Sequence, residues 1–213
     1  MTRDHRLSPL SRLYLVTDRA FCAPRSLEDV LDEACAAGAR MVQLREKDLP
    51  PRELCLLAEA AKTVADRHGA SLFVNDRIDI AMAVDAAGVH LSRKSVPPSI
   101  ARRCLNEAQL IGVSTHSVEE AMLAEQDGAN FICFGPVYDT PSKRPYGSPQ
   151  GLRKLREVCN CVSVPVYAIG GISHSQVDEC IGAGAYGVAV ISAVIGAADV
   201  TDAVSSFSDT LGT

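Results

Sequence analysis

The stretch Leu13-Tyr-Leu-Val-Thr-Asp-Arg19 decides between two ways of building a parallel sheet from this chain. Its apolar run ends in Thr17-Asp18-Arg19, not in the G-x-G-x-x-G turn that opens a doubly wound dinucleotide-binding sheet. The rest of the chain repeats the same strand-then-helix plan. Candidate strands are Leu13–Thr17, Met41–Leu44, Ser71–Val74, Gly88–Leu91, Leu110–Ser114, Asn130–Phe134, Val164–Ile169 and Gly187–Ile191. Most are continuously apolar, the pattern of parallel strands buried on both faces. Helices are predicted near residues 27–38, 51–67, 78–84, 97–107, 118–127, 149–158, 175–182 and 199–211. Ser26-Leu-Glu-Asp29 reads as a helix start, and Ser117-Val-Glu-Glu120 as a capping box. Ala37-Gly38, Ala87-Gly88, Asp127-Gly128 and Ala183-Gly184 close several helices. Eight such units in 213 residues predict an α/β fold, a single (β/α)8 TIM barrel spanning 1–213. An open doubly wound sheet is the competitor, and it lacks its glycine turn here.

Composition narrows the functional classes. A net charge of −5 with no dense run of Lys or Arg argues against a nucleic-acid partner. Hydrophobic residues make up 47% of the chain, enough for a sizeable core. The eight cysteines include no C-x-x-C pair, and Cys159-x-Cys161 lacks the second pair that would complete a zinc set. They read as buried, reduced thiols of a cytosolic protein. Met1-Thr-Arg-Asp-His-Arg6 has no apolar core of a signal peptide, and no apolar run reaches membrane-spanning length. A cytoplasmic protein with no membrane partner is expected, and its exposed helix faces leave surface for a homodimer.

In a barrel, reacting groups line the carboxyl ends of the strands. Strand two runs into Gln43-Leu-Arg-Glu-Lys47, whose period of two sends Gln43, Arg45 and Lys47 toward the barrel mouth. Two cations there call for an anionic ligand, or for salt bridges to Glu46 or Asp48. Strand three ends in Asn75-Asp76-Arg77, where Asp76 suits Mg²⁺ or a helix cap. Strand five ends in Ser114-Thr115-His116, and a lone histidine there is more often structural than catalytic. Gly170-Gly171 and Ile191-Ser192, after strands seven and eight, form either a backbone phosphate nest or plain turns. Strand six opens into Gly135-Pro-Val-Tyr-Asp-Thr-Pro-Ser-Lys-Arg144, where Thr140, Ser142, Lys143 and Arg144 offer hydroxyls and cations to phosphate oxygens. Its prolines give the loop 137–151 the composition of a lid. Together these ends predict two anionic substrates, one a pyrophosphate ester taken with Mg²⁺ and one a monophosphate.

The chain resembles the thiamine phosphate synthase and thiazole tautomerase (TenI) family. The matching elements are Tyr14-Leu-Val-Thr-Asp18, Val42-Gln-Leu-Arg-Glu-Lys47, Asn75-Asp-Arg77, Gly88-Val-His-Leu91, Gly112-Val-Ser-Thr-His116, Phe134-Gly-Pro-Val-Tyr-Asp-Thr-Pro-Ser-Lys143, Ala168-Ile-Gly-Gly-Ile172 and Gly187-Val-Ala-Val-Ile-Ser192. The resemblance implies a (β/α)8 barrel that joins 4-amino-5-hydroxymethyl-2-methylpyrimidine diphosphate to a thiazole phosphate, giving thiamine phosphate and pyrophosphate. It implies that Gln43, Arg45, Lys47, Asn75, Ser114 and Lys143 bind the pyrimidine diphosphate and that Asp76 holds Mg²⁺. Thr140, Ser142, Gly171, Ile191 and Ser192 would hold the thiazole phosphate, and Arg45, Lys47, Ser114, His116 and Lys143 would form the catalytic set. One departure stands out. Synthases commonly read Gly-Gln-x-Asp after the fourth strand, that Asp being a second magnesium ligand, and here Ser92-Arg-Lys-Ser95 puts Ser95 in its place. Ser142 for a usual Thr keeps the hydroxyl. The departure brings in a second reading, the metal-independent thiazole tautomerase with His116 moving the proton, and a third, a non-catalytic phosphate-ligand-binding paralogue. The retained Gln43, Arg45, Lys47, Asn75, Asp76 and Lys143 favour the synthase.

Overall fold

The computed structural model describes residues 10–140, 144 and 148–212. Eight parallel strands close into a barrel in sequence order: β1 Leu13–Val16, β2 Met41–Leu44, β3 Ser71–Asn75, β4 Gly88–Leu91, β5 Leu110–Thr115, β6 Phe131–Phe134, β7 Val166–Ile169 and β8 Gly187–Val190. Each strand pairs in parallel with the next, and the ring closes through Leu13 opposite Val188 and Leu15 opposite Val190. The predicted strands are recovered, β2 and β4 with the predicted bounds and the others with an end shifted by one or two residues.

Strand periodicity builds two cores from one run of apolar residues. In β1, Leu13 and Leu15 pack outward into the layer shared with the helices, whereas Tyr14 and Val16 fill the barrel. The interior is an aromatic plug. Tyr14, Phe73 and Phe131 meet edge-to-face with ring centroids 5.4–5.8 Å apart, and Phe131 stacks the same way on Tyr167. Each such pair adds about 0.5–1.5 kcal/mol beyond its buried area. Because both faces of every strand are buried, the strands read as unbroken apolar runs.

The helices form the outer ring: α1 Leu27–Ala36, α2 Pro51–Arg67, α3 Ile78–Ala83, α4 Pro98–Ala101, α5 Val118–Gln126, α6 Gly151–Cys161, α7 Val177–Gly182, α8 Ser192–Ile195 and α9 Val200–Leu211. Ser26 Oγ accepts the Asp29 N–H at 3.1 Å, as the sequence predicts. Ser117 Oγ accepts the Glu120 N–H at 3.2 Å, but the Glu120 carboxylate takes the N–H of His116 at 2.7 Å, one residue before the cap. The capping box is therefore displaced by a residue and ties the end of β5 to α5.

The predicted helix 97–107 is corrected. Only Pro98–Ala101 is α-helical, because the Arg103 and Cys104 N–H groups bond three residues back and unwind the turn. The Asn106 side chain then captures the N–H groups of Ala108 and Gln109, which stops the helix. All eight cysteines are free thiols, with Cys104 and Cys161 exposed rather than buried. No helix among the described residues is long and apolar enough to cross a membrane.

Candidate active site

The end of β2 is held by a buried acid. Glu46 is 5% exposed, accepting from the Thr17 hydroxyl at 2.6 Å, the Arg19 backbone N–H at 3.2 Å and the Arg19 guanidinium at 3.0 Å. Arg19 also forks onto Asp48, with both bonds at 2.6 Å. Thr17 Oγ1 in turn accepts the backbone N–H of Arg45 at 2.9 Å. The acids flanking the two mouth cations are thus engaged by Arg19, a residue the sequence reading left unassigned. The only signal for it was its position at the end of β1, beside β2 in the ring. This network clamps the segment from which Arg45, half-buried, and Lys47, exposed, rise at the rim.

Gln43 lies deeper than a mouth residue, 3% exposed, and its side-chain N–H donates to Tyr14 Oη at 3.1 Å. Tyr14 Oη lies 3.4 Å from His90 Nδ1, and His90 Nε2 lies 2.8 Å from Ser114 Oγ. With the Gln43 amide nitrogen toward Tyr14, one proton arrangement gives the buried Tyr14 hydroxyl an acceptor among these partners. Tyr14 accepts from Gln43 and donates to Nδ1, so the imidazole N–H sits on Nε2 and donates to Ser114. The Ser114 O–H then remains as a donor for the mouth. Burial holds His90 neutral by lowering its pKa to about 3, while Asp76 opposes that shift and Arg45 and Lys47 reinforce it. Arg45, Lys47 and Asp76 therefore stand near enough to act on the buried His90, which Ser114 touches. Gly112 makes room for the imidazole, since a Cβ there would stand 2.7 Å from His90 Nδ1 and 2.3 Å from Phe131. Tyr14 and His90 were legible in the sequence only as parts of strands.

Asp76 takes a left-handed backbone, φ +58°, which Asp and Asn tolerate better than other side-chain-bearing residues. Its N–H donates to the His90 carbonyl at 2.9 Å, which aims it across the β3–β4 junction. The carboxylate accepts from Asn75 Nδ2 at 2.9 Å, the Ser92 N–H at 3.2 Å, the Ser92 hydroxyl at 3.5 Å and the Ser95 hydroxyl. Ser95 thus touches the carboxylate of Asp76. The helix-cap alternative is not realised, because Arg77 occupies the cap position of α3 and makes no side-chain cap bond. The donors around Asp76 are a carboxylate and hydroxyls, which suit a hard cation such as Mg²⁺. No cluster of three or more His, Cys, Asp or Glu that could hold a metal occurs among the described residues. A metal here would have one protein carboxylate and would take its other ligands from substrate and water, a pattern that Mg²⁺ accepts.

The other half of the rim is built by β6 to β8. The loop after β6 runs beside the end of β7, with the Val137 N–H on the Ile169 carbonyl at 2.9 Å and the Tyr138 N–H on the Gly170 carbonyl at 3.0 Å. Gly171, φ +68°, has no space for a side chain, as a Cβ would lie 2.5 Å from the Asp139 carbonyl oxygen. The glycine pair therefore admits the strand-six loop against β7. Thr140 follows in that loop, and Arg144 pairs with Asp139 at 2.6 Å. Ile191 caps the four-residue α8, which Ser192 begins. His116 donates Nδ1–H to the Gly135 carbonyl at 2.5 Å, tying the ends of β5 and β6 together. Ser142 and Lys143 lie outside the described residues, as do the neighbouring lid residues 141 and 145–147.

With its polar and charged groups gathered at the carboxyl rim of a closed parallel barrel, the chain is a (β/α)8-barrel enzyme. Residues 13–194 match the thiamine monophosphate synthase family, and the chain belongs to it. A putative thiamine-phosphate synthase of Geobacter sulfurreducens is 50% identical over 183 residues, 86% of each chain. The thiamine-phosphate synthase of Roseiflexus castenholzii is 43% identical over 197 residues, 92% of this chain and 86% of the relative. The solved thiamine phosphate pyrophosphorylase of Pyrococcus furiosus superposes with a TM-score of 0.86 at 36% identity, covering 94% of this chain and 95% of that one.

Proposed function

We propose that this protein is a thiamine-phosphate synthase, a transferase of thiamine biosynthesis. It joins 4-amino-5-hydroxymethyl-2-methylpyrimidine diphosphate to thiazole phosphate. The C–O bond to the diphosphate breaks and its electron pair leaves with pyrophosphate, and the thiazole nitrogen lone pair forms the new C–N bond to the pyrimidine methylene. No general base is needed, so the protein's task is to position the two substrates and stabilise charge on the leaving group.

The observation that carries this reading is the gathering of Arg45, Lys47, Asp76 and Ser114 around His90 on one side of the mouth. Arg45 and Lys47 bind the diphosphate, and the Ser114 O–H donates to it, its proton aimed outward by the Gln43–Tyr14–His90 chain. Gln43 and Asn75 complete the pyrimidine side, with Lys143 from the strand-six loop. Asp76 is the residue that would hold Mg²⁺ on the diphosphate, and the chemistry such an ion supplies there is neutralisation of the departing pyrophosphate. Thr140, Ser142, Gly171, Ile191 and Ser192 receive the thiazole phosphate across the mouth. His116 serves as the tie between β5 and β6, because its Nδ1–H is engaged by Gly135. Free thiols throughout support a cytoplasmic setting.

Incubating the purified protein with both substrates and Mg²⁺ tests the reading by chromatography of the products. Thiamine phosphate is the expected product. Its absence, with a metal-independent change in the absorbance of a thiazole carboxylate phosphate instead, would replace the synthase with the tautomerase.

A further inference from the structure

Asp76 is surrounded by neutral donors. Ser95 and Ser92 both place hydroxyls on its carboxylate, Asn75 adds an amide, and the Ser92 backbone N–H adds a fourth donor at 3.2 Å. The Ser92 donors are shared with Ser95, whose Oγ lies 3.0 Å from the Ser92 Oγ and accepts the Ser92 N–H at 2.7 Å. The carboxylate is therefore satisfied before any metal arrives. A dication binding to the free protein would have to break these bonds and shed water for a single anionic ligand, and Mg²⁺ dehydrates reluctantly. Arg45 and Lys47 follow β2 beside the β3 strand that carries Asp76, so this side of the mouth offers cations to a polyanion as well as a carboxylate to a metal.

We propose that Mg²⁺ enters this site only together with the diphosphate, as a magnesium–pyrophosphate ester complex, and that Ser95, a neutral hydroxyl bound to the Asp76 carboxylate, imposes that order. The inference rests on the diphosphate assignment above and adds the sequence of binding and the residue that sets it. The diphosphate brings the negative charge that the protein withholds. Its oxygens supply the ligands that a lone carboxylate cannot, and the hydroxyls of Ser92 and Ser95 turn from Asp76 to the bound complex.

Titration calorimetry of MgCl₂ into the full chain, with and without saturating pyrophosphate, tests this on wild type, Ser95→Asp and Asp76→Asn. Wild type is expected to show no saturable Mg²⁺ binding alone across the millimolar range, and one Mg²⁺ per chain with pyrophosphate. Ser95→Asp is expected to gain metal binding in the absence of pyrophosphate, tighter than wild type by roughly tenfold or more, from one added charge beside the dication. Asp76→Asn, whose amide tolerates the left-handed backbone, is expected to lose the Mg²⁺-dependent part of pyrophosphate affinity and keep the metal-free part. Mg²⁺ binding to wild type alone as tight as with pyrophosphate overturns the inference and leaves the synthase reading intact. Unchanged metal-alone affinity in a folded Ser95→Asp, or an Asp76→Asn that keeps the Mg²⁺-dependent gain, overturns it too. Failure of pyrophosphate to bind under any condition removes the synthase reading, and the binding order falls with it.

Discussion

At the scale of single residues, the two buried polar networks behind the rim matter as much as the groups that face the substrates. In the chain from Gln43 through Tyr14 and His90 to Ser114, Tyr14→Phe removes the group that both accepts from Gln43 and donates to His90. A buried N–H and a buried imidazole nitrogen are then left without partners, at a cost of about 1–3 kcal/mol in urea unfolding. The rate of pyrophosphate release should fall roughly tenfold as the Ser114 proton loses its direction. His90 also makes stability depend on pH. Its folded pKa is depressed to about 3 from 6.5, so its neutral form contributes stability fully above pH 6.5, and this is lost as pH falls toward about 3. The unfolded chain binds the proton first, and the slope reaches at most about 1.4 kcal/mol per pH unit. Denaturant midpoints of His90→Gln between pH 6.5 and 4.5 should fall less steeply than those of wild type, and parallel curves would count against the buried neutral imidazole. Glu46→Gln leaves the Arg19 backbone N–H without a charged acceptor and the Arg19 side chain with Asp48 alone, and loosens the segment bearing Arg45 and Lys47. The expected readout is a KM for the pyrimidine diphosphate raised several-fold, with stability reduced by about 1–3 kcal/mol.

At the scale of elements, the mouth divides into halves. Strands β2 to β5 bring cations, the carboxylate and Ser114, while β6 to β8 bring glycine-permitted close approach of loops. Gly171→Ala tests that division. Its Cβ would meet the Asp139 carbonyl at 2.5 Å from a backbone that L-residues rarely adopt, so the loop carrying Thr140 must shift. The KM for thiazole phosphate should rise roughly tenfold while that for the diphosphate changes little, and an equal effect on both would deny the division. The strand ends were legible in the sequence because Gln43, Asp76, Ser114 and Gly171 each break an apolar run at its carboxyl end. The partners of Glu46 and His90 were not, because Thr17, Arg19 and Tyr14 meet them only when β1 closes beside β2 and the barrel brings β4 within reach. The helix predicted over 97–107 failed for a local reason, the competition of the Asn106 side chain for backbone N–H groups, which helix periodicity does not register.

At the scale of the whole molecule, the closed ring of parallel strands puts eight carboxyl ends on one face. The barrel was readable from Leu13–Arg19 and its seven successors, since unbroken apolar runs demand burial on both faces. The split of those runs into an aromatic interior and an aliphatic outer layer follows from strand geometry, but Tyr14, Phe73, Phe131 and Tyr167 meet only across the closed ring. The proposed function has this mouth bind a diphosphate ester with Mg²⁺ through a single carboxylate and transfer its pyrimidine to thiazole phosphate. Pyrophosphate release, followed against Mg²⁺ concentration from full chelation upward with both substrates present, tests it most directly. The expected result is no release under chelation, a saturable rise with Mg²⁺ that Asp76→Ala abolishes, and one thiamine phosphate formed for each pyrophosphate. Release that ignores Mg²⁺, or none at any concentration, would contradict it.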